Sequence, residues 1–342
     1  MADEQGNRPF AVFPDREGLA DFDHINPAYF RSLDRKMQHL ADEGFVPLFE
    51  TVRRDNCPAW KAYFDFNVSY ARYVEYLIAR YGVFNLIFSG IHLDWIPKNY
   101  SLTGDEFNAA LTYHWKTYGP LPFGQPYTTL IDSSTFKVFG HGDHCPWLTM
   151  HTVGNKPRNH AIYASLEEIF RLSPPCPAAN LEPYYTGWNH EINRPGGETP
   201  AVNSDRDNYF ARAMMYGSVL SGGLAGHVHG TAAYDVTSTG EPAGWRPHIW
   251  DAREDGLDGW AFMMRTPERD FALLYFENKA VRPQLNGFSP GARYRWMWFD
   301  PRTGGWRDNV SVAADVKGAL AAPAFPRGGA IRDWAAKVTR IP

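Results

Sequence analysis

The sequence predicts an α/β protein: a (β/α) barrel of the TIM type, followed by a small all-β sandwich. From about residue 28 to 230, segments with helical periodicity alternate with short apolar runs bounded by glycine and proline. No GxGxxG motif follows a first strand, which favours a barrel over a doubly wound dinucleotide-binding sheet. After about residue 245 the pattern changes to alternating, aromatic-rich strands with no helix of useful length.

The predicted helices follow from apolar spacing and from the residues at their ends. In NPAYFRSLDRKMQHLADEG, Asn26 can cap the helix, Pro27 suits its first turn and Gly44 ends it. A second helix runs from about Tyr70 to Tyr81 and stops at Gly82. Further helices are predicted over 105–117, over 160–172 and in the long segment DRDNYFARAMMYGSVLSGG.

The predicted barrel strands are the short apolar runs between these helices. They are FVPLFETV (45–52), FNLIFSGI (84–91), YTTLID (127–132), WLTMHTV (147–153), PAANLEP (177–183) and LAGHVHG (224–230). Before Asn26 only RPFAVF reads as a strand. We therefore predict about six barrel strands in a domain over residues 1–240, a linker within 233–247 and a β-sandwich over 246–342.

Composition and charge exclude several classes of function. The net charge is −4, and no run of lysine and arginine indicates a nucleic-acid partner. No apolar stretch approaches the roughly 20 residues that cross a bilayer. No signal peptide is visible, so the chain as written predicts a cytoplasmic protein; a longer N-terminus would allow secretion or a periplasmic location. Oligomeric state leaves no sign in the sequence.

Metal, cofactor and nucleophilic-serine chemistry find no support. The three cysteines, Cys57, Cys145 and Cys176, are far apart and show no ligand spacing. His141, Asp143 and His144 in FGHGDHCPW are too compact for a usual zinc site, and a loop that hydrogen-bonds sugar hydroxyls is the better interpretation. GxSxG, P-loop and HExxH motifs are missing. We therefore predict no metal and no cofactor.

Aromatic content and strand-end carboxylates point to carbohydrate chemistry. Aromatic residues make up 15% of the chain, and sugar rings stack on tryptophan and tyrosine. Glycoside hydrolysis usually needs two carboxyl groups, and in a barrel these come from the carboxyl ends of strands. Glu182 ends the strand PAANL, and Asp94 follows FSGIHL next to Trp95. An apolar ring beside a carboxyl group disfavours its charged form, which suits a proton donor.

Other polar and aromatic residues cluster at the predicted strand ends, where they would line a sugar-binding pocket. Glu50 is also a rival to Asp94 as the second carboxylate, and Glu191 is a further one. The predicted substrate-binding residues are Glu50, Arg53, His92, Trp95, His151, Asn155, Tyr184, Trp188, His227 and His229.

Several segments together resemble the apiosidase-like glycoside hydrolases, a (β/α)8 family that includes enzymes acting on apiose in rhamnogalacturonan II. The similar segments are INPAYFRSLDRKMQHLADEGFVPLF, YARYVEYLIARYGVFNLIFSG, PAANLEPYY and YFARAMMYGSVLSGGLAGHVHG. The C-terminal run DFALLYFENKAV…GARYRWMWFDPRTG resembles the β-sandwich, labelled putative collagen-binding, that often follows these barrels. The resemblance covers roughly residues 26 to 335.

The resemblance implies specific roles. It places Glu182 at the nucleophile position of strand seven and Asp94 at the acid/base position of strand four. It also implies that barrel strands one and two are missing, apart from a remnant near Pro9–Phe13. We therefore expect a retaining glycoside hydrolase that acts on plant or microbial polysaccharide without a cofactor.

Two alternatives stay open at this point. The chain could be a non-catalytic or vestigial carbohydrate-binding protein, which the missing strands favour. It could also be an interaction module built around the C-terminal sandwich.

Overall fold

The computed structural model describes residues 2–16, 18–52, 57–93, 103–131, 134–154, 158, 160–185, 198–227, 258–326 and 331–342. The chain divides into two compact units, Met1–Gly154 and Asn155–Pro342. The predicted linker and the boundary at residues 240–246 lie outside the described residues, so that division into domains stays a prediction. Among the helices that the structure describes, none combines the length and the apolar character needed to cross a membrane.

The first unit alternates strands and helices along the chain. Its strands are β1 (Phe10–Val12), β2 (Ala20–Ile25), β3 (Leu48–Glu50), β4 (Ile87–Leu93), β5 (Tyr127–Ile131) and β6 (His151–Gly154). Its helices are α1 (Pro27–Asp42), α2 (Cys57–Tyr63), α3 (Phe66–Tyr81), α4 (Gly104–Tyr118), α5 (Thr135–Phe139) and a 3₁₀ helix (Gly142–His144).

The predicted helices begin and end where their capping residues stand. The side chain of Asn26 accepts a hydrogen bond from the backbone N–H of Ala28, and Pro27 occupies the first turn of α1, as expected. α3 begins four residues earlier than predicted, because Asp65 caps it by accepting from the backbone N–H of Val68. The short helices α2 and α5 were not predicted, since neither is long enough to show a helical period.

The central strands of this unit are parallel, as the β-α-β pattern predicts. β3, β4 and β5 lie side by side in that order. Thr152 of β6 donates from its hydroxyl to the carbonyl of Thr129 in β5, at 2.6 Å. The pairing of β4 with β5 shifts between Ser89 and His92, which marks a β-bulge close to the end of β4. The carboxyl ends of β3 and β4, which carry Glu50 and His92, therefore lie along the same edge, whereas His151 stands at the start of β6 rather than at the strand end where it was predicted.

The segment before α1 forms an antiparallel hairpin rather than a lone strand. β1 pairs with β2, whose sequence ADFDHI was not predicted as a strand. Phe22 of β2 stacks on the buried Trp60 of α2, with ring centroids 4.3 Å apart. The indole N–H of Trp60 donates to Ser69, which donates to Asp23 of β2. Tertiary packing against α2 and α3 thus holds the hairpin.

The second unit begins with parallel strands and ends in antiparallel ones. Its helices are α6 (Ala161–Phe170) and α7 (Asp205–Leu220). Its strands are β7 (Ala178–Glu182), β8 (Gly226–His227), β9 (Ala261–Arg265), β10 (Phe271–Phe276), β11 (Gln284–Leu285), β12 (Arg293–Asp300), β13 (Gly305–Ala313), β14 (Leu320–Ala321) and β15 (Trp334–Ile341).

The C-terminal strands form an antiparallel sheet in the order β13-β12-β15-β10-β9, and β11 pairs with β14 in a small second sheet. Alternate residues of β12 turn inward, so Trp296 and Trp298 are buried and pack near Trp334. This is the all-β module that the alternating aromatic pattern predicts.

A buried ion pair links the start of this unit to the C-terminal sheet. Glu277, which follows β10, is fully buried and accepts hydrogen bonds from the guanidinium of Arg158 and, at 2.9 Å, from His160. The backbone N–H of Trp260 also donates to it at 3.2 Å, and the Trp260 ring stacks on His160 at 4.2 Å. Each partner satisfies a charge or polar group that is otherwise costly to bury.

Replacing Glu277 by alanine should therefore destabilise the protein strongly, by about 3–5 kcal/mol, because the charge of Arg158 would remain buried without the Glu277 carboxylate. Chemical denaturation followed by tryptophan fluorescence measures this loss in the free energy of unfolding. The control is Glu167→Ala, which removes an ion pair with Arg171 whose side chains are 57% and 74% exposed, and which should cost no more than about 1 kcal/mol. Equal losses in the two variants would contradict the importance of the buried pair.

Candidate active site

In the first unit, two predicted site residues reach the carboxyl edge of the parallel strands. Glu50 is the last residue of β3, is half-buried, and lies opposite Ser89 of β4. The backbone N–H of Thr51 continues this pairing to the carbonyl of Ser89, at 3.0 Å. His92 lies one residue before the end of β4, beyond the bulge, and its side chain lies outside the description. Glu50 and His92 therefore stand on neighbouring strands near the same edge.

His151, at the start of β6, is fully buried and hydrogen-bonded at both ring nitrogens. Its Nδ1 lies 2.9 Å from the hydroxyl oxygen of Thr135, and its Nε2 lies 3.2 Å from Nδ1 of His141. Burial, assisted by the charge of His141, lowers the pKa of His151 to about 4. The imidazole is therefore neutral near pH 7 and can hold a hydrogen bond but not a cationic charge.

In the second unit, Glu182 is the last residue of β7 and is only 3% exposed. The hydroxyl of Tyr185 donates to its Oε1 at 2.8 Å. β7 and β8 are parallel, and Asn180 lies opposite His227. The backbone of His227 therefore lies beside β7, two residues before Glu182; the side chain of His227 is outside the described part of the structure. The carboxylate is thus held at a strand's carboxyl end by a neighbouring tyrosine.

Tyr184 is buried and tied to the next helix. Its hydroxyl donates to Oδ1 of Asp207 at 2.7 Å, while Oδ2 of Asp207 accepts from the backbone N–H of Asn203 at 2.8 Å. Burial, together with the hydrogen bond to Asp207, raises the pKa of Tyr184 well above its ordinary value. The contact fixes the chain just after Glu182 to the first turn of α7.

Two residues of this site were not identified from the sequence. Tyr185 could have been found, because it stands next to Tyr184 and three residues from Glu182. Asp207 shows no such signal, since it reads as an ordinary residue in the first turn of a helix.

The other predicted residues fall outside the described part of the chain. These are Asp94, Trp95, Arg53, Asn155, Trp188, Glu191 and His229.

Comparison with known proteins identifies the family to which this chain belongs. The family model for the apiosidase-like catalytic domain matches residues 4–255. The chain belongs to the apiosidase-like family. No curated protein matches it in sequence. The match begins at residue 4, so it includes the hairpin β1–β2 as well as the segments from Asn26 onward that carried the resemblance.

Two solved structures share the fold of this apiosidase-like chain. One is described as a glycoside hydrolase; it is 15% identical with a TM-score of 0.64, over 91% of this chain and 77% of its own. The other is a glycoside hydrolase family 5 protein from Bacteroides vulgatus ATCC 8482; it is 16% identical with a TM-score of 0.65, over 96% of this chain and 79% of its own. The predicted fold class, a TIM-type barrel with a C-terminal β-sandwich, and the glycoside hydrolase class are both confirmed.

The hydroxyl of Tyr185 should matter for activity as well as for stability. Tyr185→Phe is expected to lower kcat about 10- to 100-fold, because the Glu182 carboxylate loses the donor that orients it, and to cost about 1–3 kcal/mol of stability, because that buried carboxylate loses a hydrogen bond. Tyr184→Phe is the matched control: it removes the donor to a buried Asp207 oxygen and should cost a similar amount of stability with a smaller loss of kcat. Steady-state kinetics and thermal melts separate the two effects. A Tyr185→Phe enzyme with normal kcat would contradict this role.

The depressed pKa of His151 should make folding stability fall in acid. An unfolded histidine takes up a proton below about pH 6.5, whereas His151 in the folded chain does so only near pH 4, so stability declines as the pH falls between these values. His151→Asn should show a shallower decline than the parent chain in denaturation series at pH 7, 6 and 5. Ring titration of His151 near pH 6.5, followed by NMR, would contradict this.

Proposed function

We propose that this glycoside hydrolase acts with retention of anomeric configuration on plant or microbial polysaccharide, with Glu182 as nucleophile and Asp94 as general acid/base. The observation that carries the proposal is the placement of Glu182. Its carboxylate ends a buried strand and accepts a hydrogen bond from Tyr185. Barrel enzymes take their catalytic groups from the carboxyl ends of strands.

The reaction would proceed in two steps. Asp94 gives its proton to the glycosidic oxygen while a Glu182 oxygen attacks the anomeric carbon, which breaks the bond to the leaving sugar and forms a covalent glycosyl ester. Asp94, now a carboxylate, then takes a proton from water as the water oxygen attacks the same carbon. This restores the Glu182 carboxylate, the protonated Asp94 and a sugar of retained configuration.

The surroundings of Glu182 suit a nucleophile. Burial excludes bulk water from a carboxylate and strengthens its electrostatic interactions, but an unpartnered buried charge is costly. Tyr185 offsets this cost and holds the carboxylate in one orientation, and the Tyr184–Asp207 bond fixes the chain behind it. A fixed carboxylate loses little freedom on approaching the anomeric carbon.

Asp94 is proposed from the sequence and from the strand that precedes it. β4 ends at Leu93, so Asp94 follows a strand that runs parallel to β3 and β5. The adjacent Trp95 would favour the protonated carboxyl group that a proton donor requires. Glu50, at the end of β3, is the alternative second carboxylate.

The remaining predicted residues are proposed to bind the substrate. Tryptophans would stack on sugar faces, and His151 would act through its neighbour His141, because both of its own ring nitrogens are already bonded within the fold. The proposed set is Glu50, Arg53, His92, Trp95, His151, Asn155, Tyr184, Trp188, His227 and His229.

Chemical rescue tests the role of Glu182. Glu182→Ala should lower kcat on an activated aryl glycoside by at least 10³-fold, because the covalent step loses its nucleophile. Azide should restore turnover by entering the vacated space, and the product should be a glycosyl azide whose anomeric configuration is opposite to that of the substrate. The control, Glu167→Ala on the exposed face of α6, should keep parent activity.

Two results would overturn this assignment. Unchanged turnover in Glu182→Ala would exclude Glu182 as nucleophile. A parent chain that binds oligosaccharide by calorimetry but releases no sugar from any glycoside tested would replace the enzyme with a non-catalytic binding protein.

A further inference from the structure

A cleft lies within the second unit, between α7 and the turns of the C-terminal sheet. Its volume is about 940 Å³. Arg206 and Arg212 of α7 line one wall. Arg302, in the turn between β12 and β13, and Arg307 of β13 line the other. Nothing in the proposed hydrolysis uses these residues.

One side of this cleft carries an excess of positive charge. The lining includes five arginines and three aspartates. Arg206 is also paired with Glu198 and Asp258, so the excess lies at Arg302, Arg307 and Arg332, where Arg302 and Arg307 share a single carboxylate. A concave surface lined by one sign of charge focuses the electrostatic field and concentrates counter-ions. The cleft therefore attracts anions, although the whole chain does not.

Two of the three aspartates, Asp300 and Asp333, are occupied as internal partners of the arginines. Asp333 is only 1% exposed; it accepts two hydrogen bonds from Arg212, at 3.0 and 3.1 Å, and one from the hydroxyl of Tyr275 at 3.0 Å. Asp300, 3% exposed, accepts from Arg302 at 2.8 Å and lies 3.6 Å from Arg307. These contacts hold the guanidinium groups in place before any ligand arrives.

Two arginines of the lining have N–H donors without a partner among the described residues. The guanidinium of Arg302 lies over the ring of Trp334, with its carbon 4.6 Å from the centroid. Its Nη1 is buried and makes no hydrogen bond with any residue that the structure describes. Arg332 is exposed and forms no ion pair within the described ranges. Arg332 is therefore open to an oxyanion in the cleft, whereas the Nη1 of Arg302 has almost no accessible surface and would reach one only after a shift of its side chain.

The chemistry of the lining identifies the class of ligand. Planar guanidinium groups match the paired oxygens of carboxylates and sulfates. The side chains of Asn208, Asn278 and Thr303 add amide and hydroxyl groups that can bind sugar hydroxyls. The volume lies in the range of sites that enclose an organic ligand rather than a single ion.

The helix that lines the cleft also contacts the segment after the candidate nucleophile. Tyr184, two residues after Glu182, is hydrogen-bonded to Asp207 in the first turn of α7, and Arg206 of the same turn lines the cleft. The first turn of α7 therefore takes part in both proposed sites.

We propose that this arginine-lined cleft is a second binding site, which holds the carboxylate or sulfate groups of an acidic oligosaccharide belonging to the substrate polymer. The link to the substrate rests on the proposed function, while binding of the acidic oligosaccharide does not. The cleft selects acidic chains and raises their local concentration at the enzyme.

Calorimetry on the full chain tests the proposal with three hexasaccharides: an oligogalacturonate, a sulfated chain and a neutral chain. The acidic probes should bind at least 10-fold more tightly than the neutral one at low salt, and this preference should shrink as salt rises. The acidic probe that binds more tightly identifies the anionic group. The combined variant Arg307→Gln/Arg332→Ala should weaken acidic binding at least 10-fold with an unchanged melting temperature. The control is Arg295→Ala, which removes an exposed arginine of β12 outside the cleft and should bind like the parent.

The outcomes separate this proposal from the assignment of Glu182. The proposed binding site would be overturned if the acidic probes bound no better than the neutral one. It would also be overturned if they bound the double variant as tightly as the control. Glu182→Gln should lose turnover but keep acidic binding. The parent chain and all variants could fail to hydrolyse a glycoside while the double variant alone loses acidic binding. That result would support the binding site and contradict the proposed hydrolysis.

Discussion

The carboxylate of Glu277 constrains much of the second unit. It is fully buried, so it must be matched by donors, and Arg158, His160 and the backbone of Trp260 supply them from distant parts of the sequence. Meeting this requirement fixes the end of β10. The next residue, Asn278, donates its backbone N–H to the hydroxyl of Tyr209 in α7 at 3.2 Å and lines the arginine-lined cleft. The position of one buried charge thus sets the spacing between a helix and a sheet.

The same physical rule governs the candidate active site. A carboxylate at a buried strand end is tolerated where a neighbour donates to it, as Tyr185 does to Glu182. Tyr184 then anchors the following chain to Asp207, so two contacts fix the segment that directly follows the carboxylate. Burial that would be a liability for an unpartnered charge would instead give the proposed nucleophile a fixed direction and little competing water.

Both proposed sites use charges that are oriented by partners within the fold. Glu182 is held by a hydroxyl group, and the arginines of the cleft are held by Asp300 and Asp333. Such internal pairing means that little reorganisation is required when a substrate arrives. An acidic polysaccharide would meet a positive cleft and a buried carboxylate on the same unit, with α7 between them.

The sequence by itself determined the order of elements, the parallel strands and the position of Glu182 at a strand end, because these follow from local periodicity, caps and the period of a strand. It missed the hairpin strand Ala20–Ile25, whose buried residue Phe22 stacks on Trp60 far along the chain. It also missed Tyr185, although that residue stands only three positions from Glu182, and it missed Asp207 and the arginine-lined cleft. Only tertiary structure decided the last two, because hydrogen bonds and charge clusters between residues distant in sequence leave no periodic trace in the chain.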